Sequence, residues 1–478
     1  MYKQIFAQHS GDIYPFHMPG HKRNSEFFPP NLLSLDVTEI PGTDVLSAPD
    51  GIIKDFQQRL ADFYNAKESF FLVNGSTTGI IASVCCLCNT EKKEILFAPR
   101  NAHVSLYNGL VFSGAVPVYY LPEITPDGLA GGVSPEVFDK MPRGATAFVV
   151  SPTYEGFVSD IAAISEKVHA RDGVLIVDEA HGAHFPFHKS FPKPALALGA
   201  DIVVNSLHKT LPTLSGCAVL HINHNVSVNA SRMQFFINAV QTASPSYMHM
   251  TTADFTLKKL WAQPDLFEQY VERIAQIRLA HADAECFKIS GCERIGTNAI
   301  FDVDKGKLLY TLNSLTAEKF SETLAREYKI QAETAVGRHL LFMTSVADTQ
   351  NGFDRLKNAL LLTPRLKFAK QTPITPLKGG IATPTLRKGL IGVAICMDAK
   401  KTDFSHNTEN FSFASPEVVL TPREAMKLPA VTVPAEAAAG RISAELIADY
   451  PPGIAIVAPG ERIPHGIIKK PTVRVLEC

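Results

Sequence analysis

Seven short, continuous apolar segments, most of them separated by stretches of helical character, run through the first half of this chain, and few architectures accept that pattern. They lie at 69–73 (SFFLV), 94–98 (EILFA), 116–121 (VPVYYL), 145–151 (ATAFVVS), 174–178 (VLIVD), 201–205 (DIVVN) and 217–222 (CAVLHI). A strand that is apolar along its whole length has both faces covered, and strands alternating with helices build a mostly parallel sheet. The spacing therefore predicts an α/β large domain over 51–285 around a mostly parallel seven-stranded sheet. Within it, DFQQRLADFY predicts an amphipathic helix over 54–64. Leu257, Leu260, Leu266, Tyr270 and Ile274 fall near helical spacing, so 247–285 reads as long helix.

The flanks look different. Residues 1–50 are rich in Pro, Gly and His with little periodicity, an N-terminal arm that must dock on a larger surface to be ordered. After the large domain, 286–365 reads as a smaller α+β domain. The stretch 366–420 is Pro-, Lys-, Thr- and Gly-rich and reads as a linker or excursion. A small C-terminal domain occupies 421–478. For 478 residues, a prior of about 150 residues per domain suggests roughly three such units.

Charge narrows the partners. Lys and Arg total 46 and Asp and Glu 47, for a net charge of -1. That balance gives no electrostatic reason to expect nucleic acid or an anionic membrane. No apolar run approaches the roughly 18 residues of a membrane helix, and the first residues lack a signal-peptide pattern. Three of the eight cysteines, Cys85, Cys86 and Cys88, crowd onto one apolar segment and the others are scattered. No second Cys or His pair follows at zinc spacing, so no metal site is expected there. Reduced, buried thiols in a cytoplasmic protein are the simpler reading.

Three signals carry chemistry, each at the end of a predicted strand. The turn at Gly75, Ser76, Thr77, Thr78 and Gly79 joins a strand to a helix, where backbone N–H groups and hydroxyls can hold a phosphate. A plain Ser/Thr helix cap reads the same way. Asp178 ends VLIVD and opens DEAHGAH, suited either to capping a helix or to pairing with a protonated pyridine nitrogen. Lys209 lies in NSLHKT after the next strand, at the sheet edge where open α/β folds bind ligands. A solvated loop lysine is the bland reading; a Schiff-base amine is the other. A phosphate cup, a ring-nitrogen partner and an imine-forming amine are together what pyridoxal phosphate (PLP) requires.

Longer motifs then fall into line: PFHMPGHK (15–22), DVTEIPGTDVL (36–46), FLVNGSTTGI (71–80), RNAHVS (100–105), SPTYEG (151–156), VDEAHGAHF (177–185), SLHKTL (206–211), QTASPSY (241–247), LTPREA (420–425), AAGRISAE (438–445) and YPPGIAIVAPGE (450–461). With these motifs, spread over nearly its whole length, the chain resembles the Orn/Lys/Arg decarboxylases. It resembles their short form, without the N-terminal receiver-like wing domain. The resemblance implies the aspartate-aminotransferase fold (PLP fold type I), PLP as cofactor, a homodimer or higher homo-oligomer, and amines of the kind used in polyamine biosynthesis.

It also implies roles. Lys209 would carry the cofactor as an imine, Asp178 would pair with the pyridine nitrogen, and His103 would stack on the ring. Gly75, Ser76, Thr77, Ser206 and His208 would hold the phosphate, Ala180 would pack beneath the ring, and His181 would line the pocket. The distal cation of a basic substrate needs a carboxylate or carbonyl partner; Glu155, Asp44 and Glu461 are the candidates. His17, His21 and Lys22 of the arm are either surface residues or part of the site. A fold-type-I aminotransferase or other lyase is the alternative, with Arg338 as its carboxylate anchor, and a PLP-binding regulatory protein is the non-enzyme alternative.

Overall fold

The structure is a computed structural model and describes residues 12–90, 94–224, 226, 228–282, 284, 286–313, 316–362, 416–449, 453–468 and 470–477. Most of the expected 366–420 linker lies outside the described residues. In chain order the first strands are β1 (Tyr14–Phe16), β2 (Glu68–Leu72), β3 (Ile95–Pro99), β4 (Val116–Tyr120), β5 (Thr146–Val150), β6 (Phe157–Val158), β7 (Val174–Asp178), β8 (Ile202–Asn205) and β9 (Ala218–Ile222). Seven of them form one sheet in the order β2-β9-β8-β7-β5-β3-β4. All are parallel except β9, which runs antiparallel to both neighbours. The seven are those the apolar alternation predicts. Their residues are buried almost throughout, because one apolar cluster packs on each face of the sheet.

Helices cover the faces for local reasons. Helix Ile52–Tyr64 buries Ile53, Phe56, Leu60 and Tyr64 along one stripe. Helix Gly75–Thr90 comes so close to the sheet that a Cβ on Gly79 would sit 2.8 Å from Val204 and 2.9 Å from Leu72. Cys85, Cys86 and Cys88 are buried within that helix. The long helix expected over 247–285 is two helices, Tyr247–Ala262 and Asp265–Ala280. Pro264 explains the break: it lacks an N–H and its ring opposes the preceding turn, while the apolar spacing carries on across it. Helix Ala230–Val240, capped by the Asn229 side chain, was not foreseen.

The smaller sheet has the order β10 (Phe287–Ile289), β12 (Lys307–Leu312), β15 (His339–Met343), β14 (Thr334–Val336) and is antiparallel. β11 (Asp302–Val303) pairs with β6 and so ties this unit to the large domain. The arm docks on the same unit: β1 runs parallel to β13 (Ile330–Ala332). The C-terminal residues form two antiparallel strand pairs, Ala430–Pro434 with Thr472–Leu476 and Ile447–Asp449 with Ile454–Val457. Among the described residues no helix is long and apolar enough to cross a membrane.

Candidate active site

A cleft of about 310 Å³ opens at the carboxyl ends of the parallel strands. In such sheets every strand delivers its following loop to this edge, so residues far apart in sequence converge there. The cleft gathers Gly75, Ser76, Thr77, His103, Glu155, Asp178, Ala180, His181, Ser206, His208 and Lys209, the large majority of the residues singled out from sequence.

One end suits an anion. Gly75 has φ +75°, a left-handed conformation that turns the chain from β2 into the first turn of helix Gly75–Thr90. The N–H groups of that turn have no helical partner and carry the positive end of the helix dipole. Ser76 and Thr77 stand there, and Ser206 adds a buried hydroxyl that has no hydrogen-bond partner. His208 completes this end. Its Nδ1 lies 3.0 Å from the Cys217 carbonyl and must carry the proton, leaving Nε2 as an acceptor. Burial pushes its pKa down to about 4, with the Lys209 charge adding to the effect.

In the middle is a buried carboxyl. Asp178 ends β7, and its Oδ1 accepts the Ala180 N–H at 3.1 Å. Burial raises its pKa, and nearby Lys209 and the Ala180 N–H work against that rise. A cationic ring nitrogen placed against it would restore the lost solvation. The next residue locks the loop. Glu179 accepts Asn205 Nδ2 at 3.0 Å and the Ala195 N–H at 2.8 Å, so the loops after β7 and β8 are tied together. Burial still lifts Glu179 to about 8.

Lys209 sits in the short helical turn Leu207–Thr210 after β8. Burial lowers its pKa, opposed by Asp178 and Glu333. His103 caps helix Val104–Ser113, its Nδ1 accepting the Ser105 N–H at 3.2 Å, so the ring proton belongs on Nε2. Burial and the Lys209 charge bring His103 down to about 4. Glu155 is buried and lines the cleft, with Oε1 lacking any partner. Burial raises its pKa, countered by its own backbone N–H, Thr153 and Lys307.

Two expected substrate carboxylates stand outside the cleft. Asp44 accepts the N–H groups of Gly51 and Ile53 at 2.9 and 2.8 Å and so caps helix Ile52–Tyr64. Glu461 is engaged by Arg100 at 2.6 Å, a pair buried under the C-terminal unit. Arg338 is exposed and donates to the Leu312 carbonyl, away from the cleft. In the arm, the Lys22 ammonium is buried against the carbonyls of His17 and Met343, and the Gly20 N–H donates to the His208 carbonyl. The arm segment 14–22 is therefore seated on its own subunit, directly behind the Lys209 turn.

Other participants escaped the sequence reading. Lys307 begins β12, and its ammonium lies 2.8 Å from His181 Nδ1. Glu333 holds the Tyr154 hydroxyl at 2.7 Å and the Met18 N–H at 2.8 Å. Ile454 of the C-terminal unit closes one side of the cleft, where Gly453 receives the Val104 N–H.

Comparison with known proteins places this geometry. Residues 1–323 match the family description "Orn/Lys/Arg decarboxylase, major domain", and 405–476 match "Orn/Lys/Arg decarboxylase, C-terminal domain". An arginine decarboxylase of Bacillus subtilis (strain 168) is 31% identical over 464 residues, covering 94% of this chain and 88% of its own. A solved lysine decarboxylase of Francisella novicida superposes with a TM-score of 0.71 at 16% identity, over 95% of this chain and 76% of the other. A second solved structure, of SPT with a PLP internal aldimine, gives a TM-score of 0.56 at 14% identity, covering 75% of this chain and 88% of the other. With the family match spanning both ends of the chain and the fold in agreement, this protein belongs to the Orn/Lys/Arg decarboxylase family.

Proposed function

We propose that this protein decarboxylates a basic amino acid, with arginine the first choice, using PLP held by Lys209. The observation that carries the reading is the cleft itself: an anion cup, a buried carboxyl and a buried amine occur together at one sheet edge. The unpartnered Ser206 hydroxyl and the first turn of helix Gly75–Thr90 fit a phosphate, and buried Asp178 fits a protonated pyridine nitrogen. When bound, PLP supplies an electron sink for the bond broken at the substrate's Cα.

This chain's own residues do the rest. Ser76, Thr77, Ser206 and His208 would hold the phosphate, Asp178 would keep the ring nitrogen protonated, and Ala180 and His103 would pack against the ring. Glu155 Oε1 is the group for the substrate's distal cation, since an arriving cation gives this buried oxygen the partner it lacks. Arginine is preferred because the 31% identical relative is an arginine decarboxylase, whereas the lysine decarboxylase structure matches at 16%. The exposed position of Arg338 disfavours the aminotransferase alternative.

The domain division is read as 51–285, 286–365 and 421–478. A cytoplasmic homodimer is the proposed working form. Leu33, Ile40 and Val45, in and beside the motif at 36–46, remain exposed on the single chain.

The test is reduction with borohydride followed by peptide mapping, alongside release of CO2 from arginine, lysine and ornithine. The cofactor should be fixed at Lys209 and be absent from Lys209→Ala, which should show no measurable turnover. Fixation at another lysine, or no CO2 from any of the three, would overturn the reading.

A further inference from the structure

Lys209, His181 and Lys307 form a buried chain that no role described so far explains. His181 Nε2 is 3.1 Å from Lys209 Nζ, and His181 Nδ1 is 2.8 Å from Lys307 Nζ. All three residues are buried or nearly so, and the ring stands edge-on to Tyr154 at 5.4 Å. A neutral imidazole offers one N–H and one lone pair, and an ammonium can only donate. Two charged lysines therefore cannot both bond to a neutral His181, and an imidazolium would need both amines neutral. The geometry therefore admits at most one proton beyond the fully neutral set, and because burial holds His181 neutral, that proton sits on one lysine and not on both.

The surroundings decide which lysine is charged. Around Lys307 stand the carboxylates of Asp304, Glu333 and Glu155, with the Tyr154 ring 5.7 Å from the ammonium. Asp304 stays ionised despite burial, held by His184, Lys307 and the Gly306 N–H. Lys209 faces Asp178 and Glu333, and its other neighbours, His103 and His208, are neutral imidazoles. Lys209 thus faces two carboxyls where Lys307 faces three, which leaves Lys209 the poorer of the two in counter-charge.

We infer that Lys307 is a positioning residue that, acting through His181, holds the Lys209 amine as its free base. Lys307 is the ammonium and donates to Nδ1. The Nε2–H of His181 then points at the lone pair of Lys209. Only the free base attacks a carbonyl carbon, and a lysine in water at neutral pH is free base in roughly one molecule in a thousand. Burial lowers the pKa of both lysines, Lys307 to about 8, which agrees with one shared proton rather than two. The inference rests on Lys209 being the imine-forming residue.

The experiment measures Lys209 without cofactor. The full-length protein, stripped of PLP, is labelled with trace acetic anhydride across a pH series, and Lys209 acetylation is read by peptide mass spectrometry. In the wild type the labelling midpoint should lie below that of an ordinary lysine. In Lys307→Met it should rise by a unit or more, about tenfold less free base at a given pH. Lys307→Arg keeps the cation and should stay near the wild type. An unmoved midpoint in a folded Lys307→Met, or equal shifts in the Met and Arg variants, would overturn the inference.

Nitrogen-15 spectra of the wild type give a second reading that needs no variant. A proton on Nε2 of His181 supports the inference, and a proton on Nδ1 or on both nitrogens overturns it. Failure of borohydride to fix PLP at Lys209 would instead overturn the functional proposal, so the two failures are separable.

Discussion

The sheet wall of the cleft and the small-domain groups that stand behind its lining meet at His181, yet they hold their polar groups by different means. On the sheet side three groups lean on partners within nine residues: Asp178 on the Ala180 N–H, His103 on the Ser105 N–H, His208 on the Cys217 carbonyl. On the other side the partners are remote: Glu333 with Tyr154 and Met18, Lys307 with His181. The sheet wall is preorganised by the fold of one domain. The small-domain set is in place only when the small domain and the arm are both docked, so it depends more on remote parts of the chain than the sheet wall does.

The largest effect should come from the sheet wall. Asp178→Asn keeps the shape and its Ala180 contact but removes the charge, and it should retain PLP while losing about 10²–10³-fold in kcat, as when one preorganised electrostatic group is deleted. Visible absorbance checks retention and CO2 release checks turnover. Near-normal turnover would mean that the sheet wall acts by shape alone.

Glu155→Gln comes next. A charged hydrogen bond to the substrate is worth about 1.5–3 kcal/mol, so KM for arginine should rise roughly 10- to 150-fold with a smaller change in kcat. Equal losses with a neutral, shorter amino acid would show that Glu155 does not read the distal cation.

Asp44→Ala should be smallest in the kinetics and visible in stability, because Asp44 caps helix Ile52–Tyr64 and lies outside the cleft. Losing such a cap costs about 1–2 kcal/mol, read as a lower denaturant midpoint with kcat unchanged. Burial alone would raise the Asp44 pKa, but the N–H groups of Asp50, Val45, Gly51 and Ile53 overcome it and hold it down to about 2. Its folded pKa is below the unfolded value, so its contribution is present above about pH 4 and fades as the pH falls towards 2. A kinetic defect in this variant would bring the arm's second half into the site.

This contrast also explains what the sequence disclosed. Strand ends are punctuated: VLIVD stops at Asp178 and DIVVN gives way to SLHKT, so an acid or an amine there announces a sheet-edge position. Lys307 carries no such mark. It opens the strand KLLYTL, and a charge before an apolar run reads as an ordinary strand entrance. Glu333 lies between two short strands, and only the pairing of β14 with β15 and of β13 with the arm turns it inward. Asp44 and Glu461 show the converse. Both sit in family-matching motifs, and both charges serve structure, one on helix N–H groups and one on Arg100. The break at Pro264 was hidden because hydrophobic spacing persisted through it.

The Arg100–Glu461 pair joins residues 361 positions apart, fixing Ala458 and Ile456 near the loop that leads to His103. Its consequence is one of timing. Closing a loop of that length costs entropy before any contact repays it, and such non-local contacts form slowly. A refolding chain can finish its parallel sheet and bury Arg100 beside Tyr119 while the C-terminal unit is still loose. During that interval the guanidinium lacks its carboxylate and the cleft lacks Ile454. Competence to bind should therefore lag behind the return of secondary structure, making the C-terminal unit the gate to a finished enzyme.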